Sequence, residues 1–75
     1  MKATVEWKDQ NVWKQVHVNT RLSRNGNQFF TIGNVLYVFQ DFKDGTQVVR
    51  KTGGGPWLRA GRITRNIIFL GKGLS

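Results

Sequence analysis

The stretch that decides the fold is residues 21–30, Arg-Leu-Ser-Arg-Asn-Gly-Asn-Gln-Phe-Phe. Its centre, Asn25-Gly26, is the strongest short hairpin signal, because a type I′ turn needs positive φ at both central positions. With that pair as a two-residue loop, Arg21 faces Phe30 across the hairpin. The segment therefore predicts two antiparallel strands on which cations and aromatic rings stand close together.

The segments on either side of this hairpin also have the periodicity of strands. Residues 3–8 and 12–18 alternate between apolar and polar side chains, and residues 35–42 form an apolar run typical of a strand buried on both faces. Residues 46–51 and 62–70 are rich in β-branched and aromatic side chains, which favour strands. No stretch has the apolar stripe and caps of a helix.

Turn signals separate these strands. Asp9-Gln10-Asn11 and Asp44-Gly45 predict tight turns, Gly33-Asn34 predicts a bend or bulge, and Gly53–Pro56 predicts a loop. Five or six short strands with glycine-rich corners indicate a single all-β domain over residues 1–75. We expect a small antiparallel barrel that is OB-like or, as the alternative, SH3-like.

The chain is short and strongly basic, with 75 residues, twelve Lys and Arg, four Asp and Glu, and a formal net charge of +8. Residues 45–75 hold six of the bases and none of the acids. Such an excess points to a polyanionic partner, and Arg fits phosphate geometry better than Lys does. Because the chain has no cysteine, neither a disulfide nor a thiolate metal site can stabilise it, and we expect a homodimer instead.

Cations beside flat rings suit an unpaired nucleic-acid strand, because cations follow the phosphates and rings stack on the bases. Alternation places Phe29 and Phe30 on opposite faces, so both cannot enter one core. The Gly53–Gly55 loop can turn N–H groups toward an anion, and Trp57 beyond it is either a ligand contact or a buried ring. The candidate binding residues from this reasoning are Arg21, Arg24, Phe29, Phe30, Arg50, Lys51, Trp57, Arg59, Arg62 and Arg65.

Two segments also resemble a known family. Ser23–Phe29 and Val35–Val38 are similar to the DNA-binding wing of the filamentous-phage single-stranded DNA-binding proteins, the gene V protein family. The shared features are a Ser-Arg-x-Gly turn, an aromatic three residues after the Gly, and a Tyr-Val eight residues further on. Val5–Lys8 and the spacing of Pro56, Gly61 and Thr64 are similar as well. This chain has Phe where the family usually has Tyr, and its last third is shorter.

The resemblance implies roles for three residues. Phe29 would be the stacking aromatic of the wing, Arg24 a phosphate contact and Tyr37 a second aromatic near the DNA. The family's fold would be a five-stranded OB-like barrel that forms a two-fold dimer and coats single-stranded DNA cooperatively.

The sequence offers little for catalysis. His17 is the single histidine and lies on a strand face with Trp13, where a structural role is typical. Asp9 and Asp44 fall in turns, and Ser23 has no adjacent base. A metal-dependent nuclease would need clustered carboxylates. We therefore expect a non-enzyme with no cofactor and no metal.

The leading interpretation is sequence-tolerant binding of single-stranded nucleic acid, with DNA favoured over RNA. One alternative is a small phage-type interaction module or inhibitor that docks on an acidic protein. Another is recognition of duplex DNA by a two-stranded ribbon in the major groove. No apolar run has the length of a signal peptide or membrane span, so we expect no membrane partner and a cytoplasmic protein, in the host cell if phage-encoded.

Overall fold

The computed structural model describes residues 1–44 and 47–71, which form one all-β sheet of eight strands. In chain order the strands are β1 Lys2–Asp9, β2 Val12–Asn19, β3 Arg21–Leu22, β4 Gln28–Ile32, β5 Val35–Asp41, β6 Gln47–Thr52, β7 Leu58–Thr64 and β8 Ile67–Leu70. Their order across the sheet is β2-β1-β8-β7-β6-β5-β4-β3. In the part of the chain described, no helix is long and apolar enough to cross a membrane.

The sheet curls into a barrel-like shape because its two edge strands are consecutive in the chain. Thr20 alone separates β2 from β3, so one bent strand supplies both edges. Thr20 is buried at the bend, where its N–H donates to the Met1 carbonyl at 2.8 Å. Its hydroxyl donates to the side-chain oxygen of Gln28 at 2.6 Å. These two bonds tie the bend to the chain start and to β4.

The first and last strands pair in parallel, and the chain path explains why. Each turn or loop between strands reverses the chain, whereas the bend at Thr20 does not, so six reversals separate β1 from β8. An even number of reversals leaves β1 and β8 pointing the same way. The prediction of an all-β barrel-like domain is confirmed, but eight strands replace the expected five or six, and one pair is not antiparallel.

Alternation along the strands gives the curled sheet a buried core face, and Val48, on the other face between Gln40 and Arg62, is buried as well. The residues of the core face are Ala3, Val5, Phe30, Tyr37, Phe39, Val49, Ile68 and Leu70. Phe30 stacks on Tyr37 with ring centroids 4.9 Å apart and planes within 5°, and it meets Phe39 edge-on at 6.2 Å. Burial raises the pKa of the Tyr37 hydroxyl above its ordinary value of 10.0.

The glycine turn of the decisive hairpin forms, but with a different geometry from the one predicted. The Ser23 carbonyl accepts the N–H of Gly26 at 3.0 Å, and the Ser23 N–H donates to the Asn27 carbonyl at 2.8 Å. Gly26, with φ of 83°, closes a three-residue loop in the left-handed region. The longer loop shifts the register by one residue, so Arg21 pairs with Phe29. The predicted two-residue loop is therefore wrong.

The other predicted turns agree with the structure in some places and not in others. Gln10 and Asn11, with φ of 50° and 66°, form the predicted tight turn between β1 and β2. Gly33-Asn34 connects β4 and β5 as a two-residue loop. The Asp44-Gly45 prediction falls partly outside the described residues. The prediction of one strand over 62–70 is wrong, because Arg65 turns the chain with φ of 57° and separates β7 from β8.

Gly61 sets how closely β7 approaches β8. It pairs with Leu70 and Val49, next to a register shift in β6. A Cβ at this position would overlap the carbonyl oxygen of Phe69. The lack of a side chain therefore lets the backbones pack beside the bulge.

Candidate nucleic-acid interface

One row of residues on the outer face, the side of the sheet away from the core, combines cations with an aromatic ring. Residues directly opposite in antiparallel strands share a face. The pairs Arg21–Phe29, Phe29–Val38, Val38–Arg50 and Arg50–Arg59 join five adjacent strands, β3 to β7. We call these five residues the arginine row. With neighbouring strands ~4.8 Å apart, the row spans about 19 Å of sheet.

The side chains of the arginine row are accessible, and no described carboxylate forms an ion pair with them. Arg21 and Arg59 are exposed, while Phe29, Val38 and Arg50 are half-buried. Within residues 1–44 and 47–71, no ion pair joins an arginine to a carboxylate. The ion pair found there joins Lys14 to Asp9. The row can therefore offer its guanidinium groups to phosphate and its ring to a base.

Trp57 and Arg50 border a cleft beside the row. Arg50 Nη2 donates to the Trp57 carbonyl at 3.4 Å. The cleft measures about 240 Å³ and is lined by Asn27, Val38, Gln40, Arg50 and Trp57. This is below the ~300–1,000 Å³ of typical small-molecule sites, so the cleft suits one flat group. The Trp57 side chain is 41% exposed, so of the two alternatives left open by the sequence, the buried ring does not occur.

The glycine loop is organised by a threonine. The Thr52 hydroxyl donates to the Gly55 carbonyl at 2.6 Å and accepts the N–H of Gly54 at 3.2 Å. Gly54 has φ of 104°, which favours glycine. Because Thr52 already occupies the N–H of Gly54, that group is not free to bind an anion.

The structure corrects the roles expected of two aromatic residues. Phe30 is 3% exposed and Tyr37 is 1% exposed, and the two rings stack on each other inside the barrel. Neither ring can reach a base while the core is intact. Phe29, the neighbour of Phe30, lies on the outer face as alternation predicts.

Four predicted cations lie outside the row. Arg24 is exposed in the turn next to Arg21, and Arg62 faces outward between Val48 and Phe69. Lys51 pairs with Tyr37, which puts it on the core side of the sheet. Arg65 occupies the turn after β7, at the opposite end of that strand from Arg59.

Sequence reasoning missed two exposed rings, those of Trp13 and of Phe42, the latter 42% exposed. Trp13 is 64% exposed and pairs with Lys8 across the β1–β2 hairpin. A signal was available, because a two-residue turn at Gln10-Asn11 puts Lys8 opposite Trp13.

Comparison with protein-family models, with curated proteins and with solved structures gives no match to this chain. Among the described residues, no group of three His, Asp or Glu side chains could hold a metal ion. Function is therefore inferred from the chemistry of the arginine row and of the cleft at Trp57.

Proposed function

We propose that this protein binds single-stranded nucleic acid, DNA in preference to RNA, without catalysis and largely without regard to sequence. The arginine row is the observation that carries this proposal. Arg21, Arg50 and Arg59 supply a line of cations that form no ion pair with a described carboxylate, and Phe29 supplies a ring between the first two. Cations that follow phosphates and rings that stack on bases are the two requirements of such binding.

The geometry favours an unpaired strand over a duplex. Phe29 is half-buried within the sheet surface, so a base must leave its own stack to lie against the ring. The cleft beside Trp57 offers a second place for a flat group. An OB-like barrel would present its sheet in this way. The resemblance to the gene V protein family supports the same face, since Phe29 lies in the row and Arg24 is in the adjacent turn.

The expected salt dependence follows from the number of cations. Three arginines lie in the row, and Arg24 and Arg62 are exposed close to it. Three to five neutralised phosphates, at ~0.7 each for single strands, give a slope of log K against log salt of about −2 to −3.5. Stacking on Phe29 adds about 1–3 kcal/mol that salt does not screen.

Competition binding tests this proposal. A labelled oligothymidylate is bound at low salt and displaced with unlabelled DNA single strand, RNA single strand or DNA duplex of equal length. We expect the DNA single strand to compete best and the duplex worst. Equal or better competition by the duplex would favour the ribbon-in-groove alternative, and no binding of any of the three would refute the proposal.

A second candidate function is docking on an acidic partner protein. The exposed side chains of Leu22 (69%) and Leu58 (56%) favour it, because apolar anchors dominate protein interfaces. Binding that needs a protein and survives moderate salt would support it. The homodimer expected from the sequence is also a proposal, and sedimentation equilibrium with and without oligonucleotide tests it.

A further inference from the structure

The tip of the β1–β2 hairpin, residues 7–14, extends beyond the rest of the sheet. Among the described residues, β8 pairs with β1 at Thr4, Val5 and Glu6, and the β1 residues after Glu6 pair with β2 alone. All residues from 8 to 15 are exposed. The hairpin tip is therefore a two-stranded ribbon that contributes little to the core.

Each face of the hairpin tip carries a lysine opposite a tryptophan. Lys8 pairs with Trp13 on the outer face, and Trp7 pairs with Lys14 on the core side. Trp7 packs partly against the core, whereas Trp13 is 64% exposed, more than Trp57 at 41%. Trp13 and Lys8 therefore combine an exposed ring with a cation, as the arginine row does, on a different part of the surface.

The register places Lys8 level with the Arg59 end of β7. Glu6 and Phe69 form the last pair between β1 and β8, and Lys8 and Gly71 each follow that pair by two residues. The N–H of Gly71 donates to the Ala60 carbonyl at 2.8 Å, and Ala60 follows Arg59. Gly71, the last described residue after β8, has no side chain that could lie between the two cations.

We propose that the hairpin tip is a second contact for the unpaired nucleic-acid strand, where Trp13 stacks on a base and Lys8 binds a phosphate. This proposal rests on the proposed function and extends the path of the bound strand beyond the arginine row. From β7 to β2 the outer face adds three strand spacings, about 14 Å, to the arginine row. A strand that crosses the row can therefore continue over Gly71 to the tip.

The structure argues against a second copy of this chain as the occupant of the tip. β2 has a free edge along the tip, and such edges invite pairing with another chain. Lys14, however, places a charge on that edge strand, where its side chain is 51% exposed and bound to Asp9 at 2.9 Å. A lysine on an edge strand is a common device that prevents edge-to-edge pairing.

Oligonucleotide length separates the tip from the row. We compare the wild type with Trp13→Ala and with the control Val12→Ala, a neighbouring exposed residue on the other face, using oligothymidylates of about 4 and about 16 nucleotides. Trp13→Ala should weaken the longer ligand roughly 5- to 150-fold, the loss of one stacked base. The shorter ligand should bind within about twofold of wild type, and Val12→Ala should behave as wild type with both.

Three outcomes would overturn the proposal. Equal weakening at both lengths would mean that Trp13 acts on the fold or on the row. Unchanged binding of the longer ligand would mean that the tip is not a contact. A dimeric wild type that becomes monomeric in Trp13→Ala, with unchanged binding per chain, would make a second copy the occupant. If the wild type binds neither length, the proposed function itself is refuted. If the wild type binds and Trp13→Ala has no effect, only the contact at the hairpin tip is refuted.

Discussion

Phe29 and Phe30 are adjacent in sequence and lie on opposite faces, so replacing each by Ala tests the assignment of the outer face. Phe30 is 3% exposed and stacks on Tyr37 at 4.9 Å, and truncating such a ring costs about 3–5 kcal/mol. At ~0.05–0.15 kcal/mol per residue, a chain of 75 residues has about 4–11 kcal/mol of stability, so Phe30→Ala removes a large share. Phe29 is half-buried, and losing half of the ~1.5–3 kcal/mol of full burial costs about 1 kcal/mol.

The two variants should separate stability from binding. Urea unfolding followed by circular dichroism should give a free energy of unfolding that is about 2–4 kcal/mol lower for Phe30→Ala than for Phe29→Ala. Fluorescence anisotropy with an oligothymidylate should show the reverse order, with Phe29→Ala weaker by about 1–3 kcal/mol and little change in salt slope. Phe29→Leu is the matched control, because it keeps apolar bulk and removes the flat ring. Wild-type affinity in Phe29→Ala, or equal destabilisation by both variants, would refute the assignment.

Three further predictions follow from the strand geometry. Arg59→Gln should reduce the magnitude of the salt slope by ~0.7, whereas Arg65→Gln, at the other end of β7, should leave it unchanged in the same anisotropy titrations. Gly61→Ala should lower the free energy of unfolding by about 1–3 kcal/mol or more, because its Cβ overlaps the Phe69 carbonyl, and a urea midpoint equal to wild type would contradict this. The raised pKa of Tyr37 means that the stability of its neutral form is fully present below its ordinary value of 10.0 and is lost as pH rises through the higher folded pKa. Relative to Tyr37→Phe, the wild type should lose stability only above that ordinary value, and a parallel pH dependence in both proteins would contradict the burial.

The strands could be read from the sequence wherever apolar alternation and glycine turns agreed. Residues 3–8, 12–18 and 35–42 fall within or almost within β1, β2 and β5. The hairpin inside 62–70 could not be read, because its turn has no glycine and its left-handed residue is Arg65. There the pairing of β8 with β1 and β7 outweighs local preference.

The candidate site was predicted in its residue types and only partly in its arrangement. Alternation separates Phe29 from Phe30 but does not say which ring enters the core. That choice depends on Tyr37, which stacks on Phe30 from the next strand. The alignment of Arg50 with Arg59 depends on a register shift between β6 and β7, a long-range feature without a local signal.

The salt dependence of binding to a single DNA strand tests the central claim most directly. Anisotropy of a labelled oligothymidylate is titrated with the wild type at several salt concentrations, with the matching duplex in parallel. We predict tighter binding to the single strand and a slope of log K against log salt of about −2 to −3.5, as expected for three to five phosphates. No binding at low salt, or a slope near zero, would contradict the assignment of the arginine row as a nucleic-acid interface.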